Sequence, residues 1–306
     1  MSASVVSLLS RPHLRARVSV ASLAWTEFLT LLPAAVISIY AFGRTALGVF
    51  LLSVFTSVAA ETLLRFFSDK PLQFRNGSAF LNGLLVAFLL PPDSPWWLTV
   101  TGNLFAVGVG RELFGGPGCY IFQPALLARA FLLLAFPHTA SAWLIPSHFS
   151  QAALLFNAAV LAGGGVLIYL RVIPWRVPFY YLGVALLISY FFQNHRLSEI
   201  LRWGLLPLAF FYLTDFPALP VTGQGRILFA VTGAFFTVGL CGQSAGPADA
   251  TYGILLANAA VPILDRCLRS RVLGECVNGT GKRGRNAQKG SRVEPLSVSG
   301  RLETND

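Results

Sequence analysis

Residues 81–97 read LNGLLVAFLLPPDSPWW, a short apolar run that stops at Pro91-Pro92-Asp93-Ser94-Pro95. Proline ends a helix and leaves backbone groups unpaired, so in so apolar a setting the run is a broken helix. A second break, Thr214-Asp215-Phe216-Pro217-Ala218-Leu219-Pro220, ends another apolar run. Each break is followed by a glycine loop at equal distance: Pro92 to Gly118 and Pro220 to Gly246 are both 26 residues, and the breaks lie 128 apart. After each loop comes a similar helix, ALLARA at 125–130 and ILLANA at 254–259, offset by 129. This is an internal repeat. Five apolar stretches separate equivalent points, and an odd number turns the second copy upside down in a bilayer. The expected fold is all-α and polytopic, with about ten transmembrane helices in two inverted five-helix repeats.

Composition agrees. Of 306 residues 55% are hydrophobic and 12% charged, with a mean hydropathy of +0.64, whereas an ordinary soluble domain is about 25% charged. Apolar stretches fall at about 18–42, 45–64, 78–91, 96–110, 121–137, 151–170, 177–193, 198–214, 227–242 and 250–268. The first is read as a retained span, because it is too long for a signal h-region and no clear cleavage site follows. With the N-terminus inside, thirteen basic residues before the tail lie on the cytoplasmic side and only Arg44, Arg196 and Arg202 outside, which is the orientation that retained Lys and Arg dictate.

Both termini are therefore expected in the cytoplasm. Residues 1–17 form an N-terminal segment, 18–276 the membrane domain, with repeat one about 18–137 and repeat two about 151–269, and 277–306 a tail. The tail holds six basic residues against Glu294, Glu303 and Asp306 among Gly, Ser and Asn, and reads as disordered. The formal charge of +10 belongs largely to that tail and to cytoplasmic ends, so a nucleic-acid partner is not expected.

Several chemistries lack their residues. Cys119, Cys241, Cys267 and Cys276 have no CxxC spacing, and His13, His138, His148 and His195 do not fall at bis-histidine haem spacing. There is no GxGxxG after a strand and no Gly-x-Ser-x-Gly elbow. What remains is a set of polar residues in apolar surroundings. Gly115 and Gly116, in Phe114-Gly115-Gly116-Pro117-Gly118, permit backbone conformations that let amides approach an isoalloxazine or quinone ring. Arg129 sits inside the fifth stretch, where an arginine needs a partner or a polar cavity. Glu61 with Arg65, and Asp265 with Arg269, are spaced to pair along one helix. Glu27 and Asp215 have no such neighbour and are the candidates for a cation or proton path. Gly163-Gly164-Gly165 reads as a close helix contact.

The segments LNGLLVAFLLPPDSPWW, VGRELFGGPGCYIFQPALLARAFLLLAFP, FFYLTDFPALPVTGQGRILF and ATYGILLANAAVPILDR, with the opening Ser10-Arg11-Pro12-His13-Leu14-Arg15, resemble the RnfD/NqrB family in family order over roughly residues 10–274. That resemblance implies a membrane subunit of an Rnf-type or sodium-pumping NADH:quinone oxidoreductase complex, built as two inverted repeats of five helices. It also implies partner subunits carrying flavin or iron-sulfur groups, a quinone, and residence in the bacterial cytoplasmic (inner) membrane. The cofactor it implies is FMN, linked to a threonine of an S/T-G-A-T segment in the outer loop after the fifth helix, and often a noncovalent riboflavin.

This chain departs from the pattern in two places. Residues 137–154, PHTASAWLIPSHFSQAAL, contain no Gly-Ala-Thr, which counts against covalent FMN; the hydroxyls on that side are Thr139, Ser141, Ser147 and Ser150. Where the family tends to place asparagines, this chain has Tyr120 and Gln123. Gln123 can hydrogen-bond a flavin edge or quinone carbonyl, and Tyr120 can stack on a ring or fill the space. Arg129 matches the family's arginine, and Asn258 occupies the equivalent place in repeat two, so the pair is expected at the pseudo-symmetric centre. The leading expectation is a subunit supporting electron transfer coupled to Na+ or H+ movement. The alternatives are a flavin-free small-solute transporter or channel with the same fold, or a scaffold for redox partners.

Overall fold

A computed structural model describes residues 19–68, 76–141, 149–192, 205–240 and 247–268, and every regular element among them is helical. Helical residues fall in each of the ten apolar stretches. The first, α1 (Val20–Phe42), starts on a capping box in which the Ser22 amide donates to the Ser19 hydroxyl at 3.1 Å. Gly43, at φ +79°, is the one residue between α1 and α2 (Arg44–Phe67), and the left-handed region it occupies turns the chain back on itself. Together with α7 (Phe149–Tyr169), through its stretch Ala152–Tyr169, these are long and apolar enough to cross a membrane by length and composition among the described residues.

The next helices are short. α3 (Ser78–Leu89) and α4 (Trp96–Val107) have 12 residues each, about 18 Å at 1.5 Å per residue, against a hydrocarbon core of about 30 Å. α3 ends where Leu90 turns extended ahead of Pro91, and α4 begins at Pro95. α4 runs on as one π-helical turn, Gly108–Glu112, before the glycine loop. The fifth apolar stretch, expected from 121, becomes helical only at Pro124: α5 (Pro124–Ala135) is capped by Gln123, whose side-chain oxygen accepts from the Leu126 amide at 2.7 Å. A four-residue turn, α6 (Pro137–Ala140), follows.

The second half runs α7, α8 (Arg176–Phe192), the single turn α9 (Leu205–Pro207) continued as a π-turn at Leu208–Tyr212, a 3-10 turn at Phe216–Ala218, α10 (Gly223–Leu240) and α11 (Pro247–Cys267). Glycines set how closely helices approach. A Cβ on Gly83 would stand 2.7 Å from the Val54 Cα, and one on Gly253 only 2.6 Å from the Thr237 Cα and amide nitrogen. Of the expected glycine contact, a Cβ on Gly163 would stand 2.6 Å from the Thr30 carbonyl oxygen and one on Gly164 would meet the Phe210 ring, while Gly165 opens onto free space.

In the first half α2 packs on α3 and α4, and α4 on α5; in the second, α8 packs on the π-turn and on α10, and α10 on α11. Across the halves α1 meets α7 and α5 meets α11. Polar groups lace these apolar contacts. Ser53 and Ser57 on α2 donate to the Gly83 and Ala79 carbonyls of α3 at 2.6 and 2.9 Å, and Asn103 on α4 donates to the Ser53 hydroxyl at 2.9 Å. Tyr181 donates to Thr237 at 3.1 Å, joining α8 to α10. Between halves, the Tyr212 hydroxyl donates to the Leu85 carbonyl at 2.7 Å. Interhelical hydrogen bonds in membranes average about 0.6 kcal/mol each, so they orient a packing that close contact stabilises.

Candidate functional site

Two polar centres emerge from this packing. The first gathers the C-terminal turn of α2, the start of α3, the π-turn after α4 and the glycine loop. Glu61 and Arg65 pair as their spacing predicts, at 3.0 Å, but a second arginine lies closer: Arg111 reaches Glu61 at 2.7 Å and donates to the Ser78 hydroxyl at 3.0 Å. Arg65 also stands 3.7 Å from Glu112. Glu61, Arg65 and Arg111 are all buried, so each charge depends on its neighbours rather than on water. The π-winding places Arg111 and Glu112, adjacent in sequence, both toward α2. That winding has no helical-period signature, and sequence reasoning finds only the Glu61–Arg65 pair.

From Arg111 the glycine loop begins. The Gly116 amide donates to the Arg111 carbonyl at 3.0 Å, and Gly115, Gly116 and Gly118 take φ values of +108°, +107° and +88°. Residues with a Cβ rarely adopt these angles, which explains the glycines without any ligand. The loop delivers Tyr120, whose hydroxyl donates to both carboxylate oxygens of Asp215, at 3.1 and 3.0 Å. Asp215 lies in the second-half break, 95 residues away. Glu27 of α1 is within electrostatic reach of Asp215, and Arg111 and Glu27 within reach of Tyr120. The structure thus brings Tyr120, Glu27 and Asp215, which the sequence offers for different roles, into one neighbourhood beside the ion network. Glu61 and Glu112 face Arg65 and Arg111 in the ion network, while the carboxylates of Glu27 and Asp215 lie beside it, outside those pairs.

The sequence spacing pairs Asp265 with Arg269. Arg269 lies outside the described residues, and Asp265 accepts from the Val221 amide at 3.1 Å, fastening α11 to the second-half break.

The second centre is the contact of α5 with α11. Arg129 is 1% exposed and Asn258 0%. Arg129 donates to the Ala140 carbonyl at 3.2 Å, clamping the end of α5 to α6, and lies within electrostatic reach of Tyr212 and Tyr252. Neither polar atom of the Asn258 amide has a hydrogen-bond partner among the described residues, which is costly for a buried group and marks a place where a polar molecule or water would be held. Tyr212 belongs to this centre and escapes a reading of the sequence, since nothing local distinguishes it.

The residues available to a flavin divide the same way. At the glycine loop they fit it poorly: the Gln123 oxygen caps α5 and the Tyr120 hydroxyl is given to Asp215. In the outer segment, the Ser141 hydroxyl donates to the Pro137 carbonyl at 2.5 Å, and 142–148 lie outside the described residues. Asn258, with donor and acceptor both unused among the described residues, is the side chain that suits a heterocycle edge. Among the described residues no group of three or more His, Cys, Asp or Glu could hold a metal ion.

Comparison with known proteins points to one family. The model of the NQR2, RnfD, RnfE family matches residues 7–157 and again 150–274. The chain is 33% identical to the D subunit of the Na(+)-translocating ferredoxin:NAD(+) oxidoreductase complex of Acetobacterium woodii, over 87% of this chain and 94% of the relative. It is 32% identical to the D subunit of the ion-translocating oxidoreductase complex of Methanosarcina acetivorans, over 87% and 96%. Against the D subunit of the proton-translocating ferredoxin:NAD(+) oxidoreductase complex of Clostridium ljungdahlii, identity is 28% over 86% and 94%. The apolar helices and these relatives together make the chain a membrane-embedded protein. With two family-model matches that between them run from residue 7 to residue 274, the chain belongs to the NQR2, RnfD, RnfE family.

Proposed function

We propose that this chain is the membrane subunit of an ion-translocating electron-transport complex of Rnf type, supporting electron transfer coupled to Na+ or H+ movement. The relatives, whose names assign them to such complexes, support the role. The structural observation that carries it is the pair of carboxylates, Glu27 and Asp215, grouped with Tyr120 beside a buried ion network. Carboxylate and hydroxyl oxygens are hard ligands suited to a small cation, and a carboxylate is also a proton carrier. Glu27 lies within α1 and Asp215 in the second-half break, and an ionisable group in such apolar surroundings is a functional candidate by default.

The finer architecture belongs to the same proposal: ten spans in two inverted repeats, with both termini in the cytoplasm of a bacterial inner membrane. The packing of α2 on α4 and of α4 on α5 has its counterpart in α8 on α10 and α10 on α11, and α1 meets α7 and α5 meets α11, which supports this reading. Redox partners with flavin or iron-sulfur groups, and a quinone, would sit in neighbouring subunits, since one-electron carriers need neighbours within tunnelling reach.

Deleting the chain tests the role. A complex lacking it is expected to lose redox-driven Na+ or H+ uptake into vesicles, and full coupled transport without it would refute the proposal. Flavin is tested separately: after denaturation, in-gel fluorescence is expected to show no covalent flavin on this chain. A fluorescent band at its size would overturn that expectation and restore an attachment site in the 137–154 segment.

A further inference from the structure

Tyr120 is tied at both sides in a way that invites a use. Its own loop carries three positive-φ glycines between the π-turn and α5. That loop is pinned at its start by Arg111, which holds Glu61 and Ser78, and at its end by the Gln123 cap. Between these anchors the Tyr120 hydroxyl makes a link to the other half of the molecule, and its single proton is shared by both oxygens of Asp215 at nearly equal distance. A hydroxyl so placed covers the lone pairs that a cation held by both Asp215 oxygens would use, and its proton faces the position of that positive charge. The outer lone pairs of the carboxylate stay open, but a cation that takes both oxygens at once competes with the shared proton; for it to bind there, the phenol must turn its oxygen inward or swing away.

We propose that the Tyr120–Asp215 hydrogen bond is a latch joining the glycine loop of the first half to the helix break of the second, and that a cation arriving at Asp215 opens it. Tyr120 is then a positioning residue that sets the cation's apparent affinity and passes its arrival to residues 115–122 as a loop movement. The inference rests on the reading of Asp215 as part of an ion path, and adds to it the competing group and the element that moves. The anchors decide the direction of movement: Arg111 and Gln123 stay in place, so slack appears only between them, in the glycines.

In the assembled complex in membrane vesicles, protection of the amides of 115–122 against hydrogen exchange, corrected for the intrinsic rate at each pH, is read with and without Na+ and across pH. The expected result is slow exchange whose protection NaCl or acidification lowers by roughly tenfold, the scale on which one hydrogen bond to a charged group is lost. Tyr120→Phe is expected to exchange fast under all conditions. A Tyr120→Phe rate equal to the parent's overturns the latch. A fast Tyr120→Phe beside a parent indifferent to Na+, Li+ and pH overturns instead the ion reading of Asp215, because the link is then present but nothing at the carboxylate opens it.

Discussion

Arg111→Ala should be among the most damaging single substitutions in the chain. The residue is 2% exposed and makes the shorter of the two ion pairs to Glu61 among the described residues, so truncation strips the buried Glu61 carboxylate of its nearest counter-charge. Breaking a buried pair in this way costs about 3–5 kcal/mol, and the Ser78 hydroxyl loses its donor as well. For a domain of this size the thermal midpoint of the detergent-solubilised complex should fall by roughly 10 °C or more. The double variant Arg111→Ala with Glu61→Gln should recover part of that loss, because the second change removes the surplus charge created by the first. A double variant as unstable as the single one would show that Arg111 acts by packing rather than by charge.

Gly253→Ala should be comparably severe for a different reason. The added methyl carbon would stand 2.6 Å from the Thr237 Cα and amide nitrogen and 2.9 Å from the Phe236 carbonyl carbon. These are backbone atoms of α10 that no rotamer change can move aside. The two helices must separate along their contact, at a cost of about 3 kcal/mol, the upper end of ordinary overpacking. Gly48→Ala supplies the contrast. It lies in α2 with nothing within 4 Å of the added carbon, and replacing a helical glycine there should raise stability by about 0.5–1 kcal/mol. Yield of monodisperse complex and its thermal midpoint measure both; equal behaviour of the two variants would contradict the close approach of α10 and α11.

What can be read from the sequence follows from period and punctuation. The apolar stretches locate the helices because hydrophobic runs in a bilayer need no partner to declare themselves, and Pro91 and Pro95 bound the helix break because proline acts locally. Glu61 and Arg65 are legible for the same reason, since four residues along a helix is a fixed separation. Arg111 escapes because the π-turn abandons that separation. Tyr120 with Asp215, and Tyr212 with Leu85, escape because they join segments 95 and 127 residues apart, and nothing in either segment alone encodes the other. Gln123 as a cap is hidden by its type: glutamine is outside the usual set of capping residues, and only its position before Pro124 hints at it. Arg129 and Asn258 are an intermediate case, placed on counterpart helices by the repeat offset alone, without any indication that the Asn258 amide would stand unbonded.

The bond from Tyr212 to the Leu85 carbonyl carries a consequence for biogenesis. A ribosome releases Leu85 well before Tyr212 exists, so the first-half bundle must wait in the insertion machinery or the lipid for its last polar closure. Contacts this distant along the chain form late and slowly. Truncated nascent chains ending before Tyr212 should therefore persist as loosely closed intermediates, open to quality-control proteolysis, whatever the quality of their own helices.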